Sequence, residues 1–238
     1  MFLIRSALRK FNKLDIMIAL YIFGVIVAAL MGTKVMPLGE FLGLNFNISV
    51  AIFLLPMMFM ALDAVNELYG RARAKQLVWL GVIVQVLLVP FIWLATSLPH
   101  AARFEFMNGS YNMVFGMSAR IAIASIVAFA VAGTLDVLIF SRLKKRSKGR
   151  HLWFRSNISS FSGTLIDTVV FMTVAFYGVF ADGFANNILW LGGMILPYWL
   201  AKCAMSVVST PLVYAGVRYL RGRKKSKSIK NQTEVVAV

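Results

Sequence analysis

Residues 63–75 read Asp63-Ala64-Val65-Asn66-Glu67-Leu68-Tyr69-Gly70-Arg71-Ala72-Arg73-Ala74-Lys75, a polar and increasingly basic connection between apolar stretches at 47–67 and 76–98. Each flanking stretch is about 20 residues long, enough to cross roughly 30 Å of hydrocarbon as a helix. The connection is too short to let the two helices part, so 47–98 reads as an antiparallel transmembrane hairpin. The same apolar length recurs at 14–33, 117–140, 156–180 and 188–214. The composition agrees, with 60% apolar residues, 14% charged residues and a mean hydropathy of +0.78. A soluble domain has about 45–50% and about 25%. The predicted fold class is an all-α membrane protein, a six-helix transmembrane bundle.

The formal net charge of +16 invites a nucleic-acid partner, so the placement of the cations decides its meaning. Arg5, Arg9, Lys10 and Lys13 precede the first span. Arg71, Arg73 and Lys75 lie between spans two and three. Seven cations from Arg142 to Arg155 lie between spans four and five, and seven from Arg218 to Lys230 follow span six. Six crossings put all of these on one side, and the other side keeps only Lys34 and Arg103. That asymmetry is the positive-inside pattern and assigns both termini to the cytoplasm. The basic charge then serves topology and attraction to anionic headgroups, and no nucleic-acid partner is expected. The N-terminal apolar run is too long for a cleaved signal and is read as a retained helix. The single cysteine, Cys203, falls within span six and excludes a disulfide framework.

Three segments are expected: a basic cytoplasmic N-terminus at 1–13, a transmembrane domain at 14–216, and a basic, disordered cytoplasmic tail at 217–238. Gly24, Ala28 and Gly32 form a small-residue stripe on span one, and Ala124, Ala128 and Ala132 form another on span four; both suit close helix packing. The longest outer loop, 99–116, is expected to lie at the interface, and Trp153 to anchor at headgroup depth. Gly192-Gly193 and Pro197 are expected to interrupt span six. Spans two and five each carry an acid, but the halves do not hold register, so no internal repeat is predicted.

An ionisable side chain at the centre of a spanning helix costs about 2.5–3.5 kcal/mol unless a cavity or partner compensates it. Asp63, Glu67, Arg120, Asp136, Asp167 and Lys202 all lie within spans. Asp63, Asn66 and Glu67 share an arc of about 100°. Two carboxylates so placed repel unless a cation, a proton or a donor-rich ligand separates them; Arg71 and Arg73 are the structural candidates for that role. Asp167 and Lys202 lie at similar mid-span depth, either as an architectural ion pair or as the centre of a polar-solute site. Tyr198 and Trp199 precede Lys202 by one turn. Their rings can stack on a planar heterocycle while a carboxylate accepts two N–H groups from its edge. Arg120 and Asp136 are about 24 Å apart along span four and cannot pair with each other. Asp136 is expected in an interfacial ion pair with Arg142 or Lys144. The candidate substrate-binding residues are therefore Asp63, Asn66, Glu67, Arg120, Asp167, Tyr198, Trp199 and Lys202.

No catalytic constellation accompanies them. His100 and His151 fall on opposite sides of the membrane, which excludes a paired-histidine metal site, and there is no phosphate-binding glycine loop or dinucleotide fingerprint. Neither a metal nor a cofactor is expected, and the chain is not read as an enzyme.

The run Asp63-x-x-Asn66-Glu67-x-Tyr69-Gly70-Arg71 resembles the signature of the vitamin uptake transporter family. Further stretches match that family in order. They are Arg120-x-x-x-Ala124-Ser125, Asp136-x-x-x-Phe140-x-x-Leu143-Lys144, and Gly149-Arg150-His151-Leu152-Trp153-x-Arg155-x-Asn157 leading to Asp167-Thr168-x-x-Phe171. Lys202 with Pro211 and Tyr214 follows. The resemblance covers about residues 14–216. It implies uptake of 7-deazaguanine precursors of queuosine, the 7-cyano and 7-aminomethyl bases, across the bacterial inner membrane. The site implied lies among spans two, four, five and six, and the partners are the small base and membrane lipids. Two alternatives stay open. One is a substrate-capture subunit of an energy-coupling-factor transporter, with coupling-factor proteins or a second copy as partners. The other is a membrane-embedded enzyme or assembly factor.

Overall fold

A computed structural model describes residues 12–32, 34–41, 44–116, 119–148, 150–177 and 184–235, with side chains through Arg221 in the last helix. The expected N-terminal segment lies almost wholly outside the described residues, as does the side chain of Arg120. The helices are α1 (Lys13–Met31), α2 (Leu55–Tyr69), α3 (Arg71–Ser97), α4 (Glu105–Phe115), α5 (Ala119–Arg146), α6 (Leu152–Phe176) and α7 (Phe184–Val235). Among the described residues six helical stretches are long and apolar enough to cross a membrane: α1, Val50–Tyr69, α3, and stretches of α5, α6 and α7. The six-span reading of the sequence holds. The remaining helix, α4, is short and lies in the 99–116 loop, where Phe106 and Met113 are almost fully exposed. Helical backbone continues in α7 through Val235, beyond the boundary at 217 expected for the tail.

Gly70 alone joins α2 to α3. Its φ of 83° lies in the region that L side chains rarely adopt, and the reversal it makes produces the antiparallel hairpin expected from the short connection. The chain packs α5 on α6, α2 on α7, α6 on α7, and α1 against both α2 and α3. The buried core gathers Tyr21 and Val25 of α1, Ala61 and Val65 of α2, Leu77 and Val78 of α3, and Val137 and Phe140 of α5. It also takes in Val213 and Val217 of α7. These positions lie toward the lysine- and arginine-rich ends of the helices. Two contacts bring those ends together: the Lys13 ammonium donates to the Tyr219 carbonyl over 2.6 Å, and the Trp153 amide donates to the Tyr214 hydroxyl over 3.3 Å. The far half of α3 presents Phe91 and Trp93 outward, about 70% exposed, as a lipid-facing surface does.

The small-residue stripes are used inside the bundle. A Cβ on Gly24 would meet the Met58 side chain at 2.7 Å, so α1 approaches α2 there only without one. Ala124, Ala128 and Ala132 are all buried. At Gly133 a Cβ would fall 2.8 Å from the Cγ1 of Val78, a stiff, β-branched and fully buried neighbour. Gly133→Val is therefore expected to destabilise the bundle by about 1–3 kcal/mol through overpacking, read as a lowered Tm of the detergent-purified protein.

One element was absent from the sequence reading. After α1 the chain forms an antiparallel hairpin, β1 (Val35–Phe41) with β2 (Leu44–Ser49), pairing Val35 with Ser49 and Phe41 with Leu44. Its second strand alternates apolar and polar residues, Leu44-Asn45-Phe46-Asn47-Ile48-Ser49, the period of a half-buried strand. The Ser49 hydroxyl then donates to the Gly32 carbonyl over 2.7 Å and accepts from the Ala51 amide over 3.2 Å. This closes the hairpin onto the end of α1 and starts the 3-10 segment (Val50–Leu54) that leads into α2.

Candidate functional site

The buried face of α6 is polar along much of its length. Arg155, Ser156, Ser159, Ser160, Thr164 and Thr168 are buried, and they recur at the three- and four-residue spacing of one helix face. In water such a stripe would be apolar; within a membrane bundle it faces neighbouring helices and satisfies itself where it can. The Thr164 and Thr168 hydroxyls donate to the carbonyls of Ser160 and Thr164, over 2.7 and 2.8 Å. The Ser160 hydroxyl has no partner among the described residues.

The basic end of this ladder carries the first cluster. Arg155, with 0% of its side chain exposed, donates from Nη2 to Glu67 Oε2 at 2.6 Å and from Nη1 to the Arg150 carbonyl at 2.9 Å. The guanidinium lies 5.4 Å from the centre of the Phe140 ring. Lys144 stands 3.2 Å from the same Glu67 oxygen and donates to the Glu67 carbonyl. The side-chain amide of Asn66 donates to the Val137 carbonyl over 3.4 Å, and its oxygen accepts from the Ser141 hydroxyl over 3.0 Å. Asp63 accepts from the Ser156 hydroxyl. Asp136 packs against α6 where a Cβ on Gly163 would come within 3.1 Å of its own, so glycine there sets the close approach. Asp136 is buried, with Ser159 beside it and its Oδ1 without a hydrogen-bond partner among the described residues.

Two expectations about this end are corrected. Arg155 and Lys144 neutralise Glu67, while Arg73 turns to the Gln76 side chain at 2.8 Å. The reason is geometric: side chains of α5 and α6 reach the acidic face of α2, whereas Gly70 swings Arg73 away onto α3. Asp136 makes no ion pair among the described residues, because Lys144, one of its expected partners, is held by Glu67.

The second cluster lies deeper. Lys202 of α7 donates to Asp167 Oδ2 at 2.6 Å and to the Thr168 hydroxyl at 3.1 Å, and its ammonium stands 4.8 Å from the Tyr198 ring centre. Asp167 keeps 30% of its side chain exposed against 10% for Lys202, so one face of the pair is open. Trp199 is fixed by its indole N–H, which donates to the Phe161 carbonyl over 3.0 Å. A third expectation is corrected here. α7 runs unbroken through Gly192, Gly193 and Pro197, since spanning helices tolerate a proline whose freed carbonyl neighbours re-satisfy.

The candidate residues therefore divide. Asp63, Asn66 and Glu67 belong to the basic-end cluster, and Asp167, Tyr198 and Lys202 to the deeper one, with Trp199 tied to the same stretch of α6. Twelve residues of α6 separate Arg155 from Asp167, about 18 Å along the axis. A cleft of about 740 Å³ opens at the basic end, lined by Glu67, His151, Arg155, Tyr214, Arg218 and Arg221 among others. Sequence reasoning missed the roles of Arg155, Lys144 and Ser156. Arg155 is read among the loop cations and Lys144 as a partner of Asp136, and Ser156 is not singled out. The polar four-residue period on α6 was the signal that could have found them.

Six apolar spans enclosing buried charged side chains define a multi-pass membrane protein. The chain belongs to the family described as "Putative vitamin uptake transporter", whose profile matches residues 49–216. It is 34% identical over 170 residues, 71% of each chain, to the "Probable queuosine precursor transporter" of Bacillus subtilis. It is 28% identical to the "Queuosine precursor transporter" of Escherichia coli over 56% of this chain and 58% of that one. It is also 28% identical to the "Probable queuosine precursor transporter" of Haemophilus influenzae, over 60% of this chain and 58% of that one. No solved structure matches it.

Proposed function

We propose that this chain imports queuosine precursors, 7-cyano-7-deazaguanine and 7-aminomethyl-7-deazaguanine, across the bacterial inner membrane, with both its termini in the cytoplasm. The observation that carries the reading is that all three relatives bear a queuosine-precursor name. The chemistry of the deeper cluster supports it. The base docks among α2, α5, α6 and α7, with the guanine edge donating to the open face of Asp167 and the ring stacking on Tyr198 and Trp199. Lys202 then exchanges part of its contact with Asp167 for the ligand. Asp63, Asn66 and Glu67 serve the polar route between this site and the basic-end cleft, and Arg120, at the opposite end of α5, serves the entry from the outer side.

The test is accumulation of labelled precursor by cells that express this chain and lack coupling-factor genes. Unchanged precursor inside the cells is the expected result. Accumulation only when coupling-factor proteins are supplied would make the chain a capture subunit instead, and conversion of precursor by the purified protein would make it an enzyme. Replacing Asp167 and Lys202 together by leucine asks whether the pair is a site. Loss of uptake by a protein that still inserts is expected; retained uptake would make the pair architectural.

A further inference from the structure

Three acids meet at the basic-end cluster, Asp63, Glu67 and Asp136, and two cations face them, Lys144 and Arg155. Both cations close on Glu67. Neither Asp63, 1% exposed, nor Asp136, 5% exposed, has an ion pair among the described residues. Asp63 holds one serine hydroxyl, and Asp136 Oδ1 holds nothing. The two acids are neighbours. Asn66, one turn from Asp63 on α2, bonds to Val137, the residue after Asp136 on α5. Ser156 and Ser159 bring α6 to the pair. Leaving both acids ionised would bury an excess negative charge with an oxygen that nothing solvates. One proton brings the cluster to neutrality.

We propose that Asp63 and Asp136 form a binding site for one exchangeable proton, reached through the cleft at the basic end. The charged and titratable groups around it are few. α1 contributes Tyr21, α2 Glu67, α5 Lys144 and α6 Arg155, while the polar Asn66, Ser141, Ser156 and Ser159 complete the shell. α3 and α7 add the apolar Leu77, Val78, Val213 and Val217 to the same core, while the α7 cations Arg218 and Arg221, with His151, line the cleft outside it beside Glu67 and Arg155. The cleft supplies the path, since Glu67 and Arg155 line it and Arg155 stands next to Ser156, the partner of Asp63. Asp136 Oδ1 is the acceptor without a partner among the described residues, and Asp63 is the acid nearer the guanidinium. A site of this kind is what a proton-coupled carrier uses.

Infrared difference spectroscopy of the purified full chain in liposomes, without any substrate, tests the site independently of which solute is carried. A carboxylic-acid C=O band is expected at neutral pH. It should shift in deuterated buffer, fade as pH is raised, and vanish in Asp63→Asn/Asp136→Asn. Should the double variant fail to fold, Asp136→Asn alone decides, by loss or persistence of the band. No acid band in the wild type, a band that ignores deuterium and pH, or one that persists in the variants would overturn the proposal. A band that appears only when sodium is withdrawn would also overturn it, in favour of a metal cation.

Discussion

Arg155→Met is expected to destabilise the folded bundle by about 3–5 kcal/mol, the cost of leaving a buried charge without its partner. The guanidinium is wholly buried and joins three elements at once: Glu67 of α2, the Arg150 carbonyl before α6, and the Phe140 ring of α5. Methionine fills most of the volume, so the loss measures the polar connection more than a cavity. Lys144 remains on Glu67 but is partly exposed, and it compensates only in part. Adding Glu67→Gln to Arg155→Met removes the orphaned charge and should recover a large share of the loss. The measurement is thermal unfolding of the detergent-purified protein for both single variants and the double. A loss under about 1 kcal/mol for Arg155→Met, or a strictly additive double variant, would mean that the pair behaves like a surface contact.

Asp167→Asn is expected to reduce precursor uptake to background while leaving the protein inserted at normal abundance. The substitution keeps the shape of the side chain but turns one of two acceptor oxygens into a donor. The edge of a guanine-like base then meets one matched and one mismatched group. Discrimination by buried hydrogen-bonding sites of this kind reaches about 10⁴-fold, far beyond what stacking on Tyr198 and Trp199 can restore. Uptake and membrane abundance measured on the same cells give the answer. Wild-type uptake by the variant would remove Asp167 from the binding site.

The two variants probe parts of the molecule that differed in how plainly the sequence displayed them. Six apolar lengths and the one-sided lysines and arginines were enough for the bundle, because crossing a membrane as helix leaves the chain few alternatives. The hairpin of α2 and α3 followed from a single short connection. The β1–β2 hairpin did not, since seven- and six-residue strands lie below the length at which an apolar window registers. Its only trace was the alternation from Leu44 to Ser49.

At the candidate site the pattern was similar. The depth of Asp167 and Lys202 along their helices matched them as partners, and the structure joins them at 2.6 Å. Depth alone could not say which cation meets Glu67. Arg155 belongs by sequence to a basic loop, and only the packing of α6 on α5 and α7 turns it inward to reach Glu67 of α2. Nor could depth separate the basic-end cluster from the deeper one, because that distance runs along α6 and depends on which faces meet. The continuous α7 shows the same limit: Pro197 predicts a break when helix is judged alone, yet the packed helix passes through it.

Queuosine in the tRNA of a precursor-auxotrophic strain is the most direct measurement of the central claim. Such cells, expressing this chain as their only importer and given each 7-deazaguanine base in turn at limiting concentration, should regain the modified nucleoside with the wild-type chain and not with Asp167→Asn. Equal queuosine in cells with and without the chain, for both bases, would contradict it.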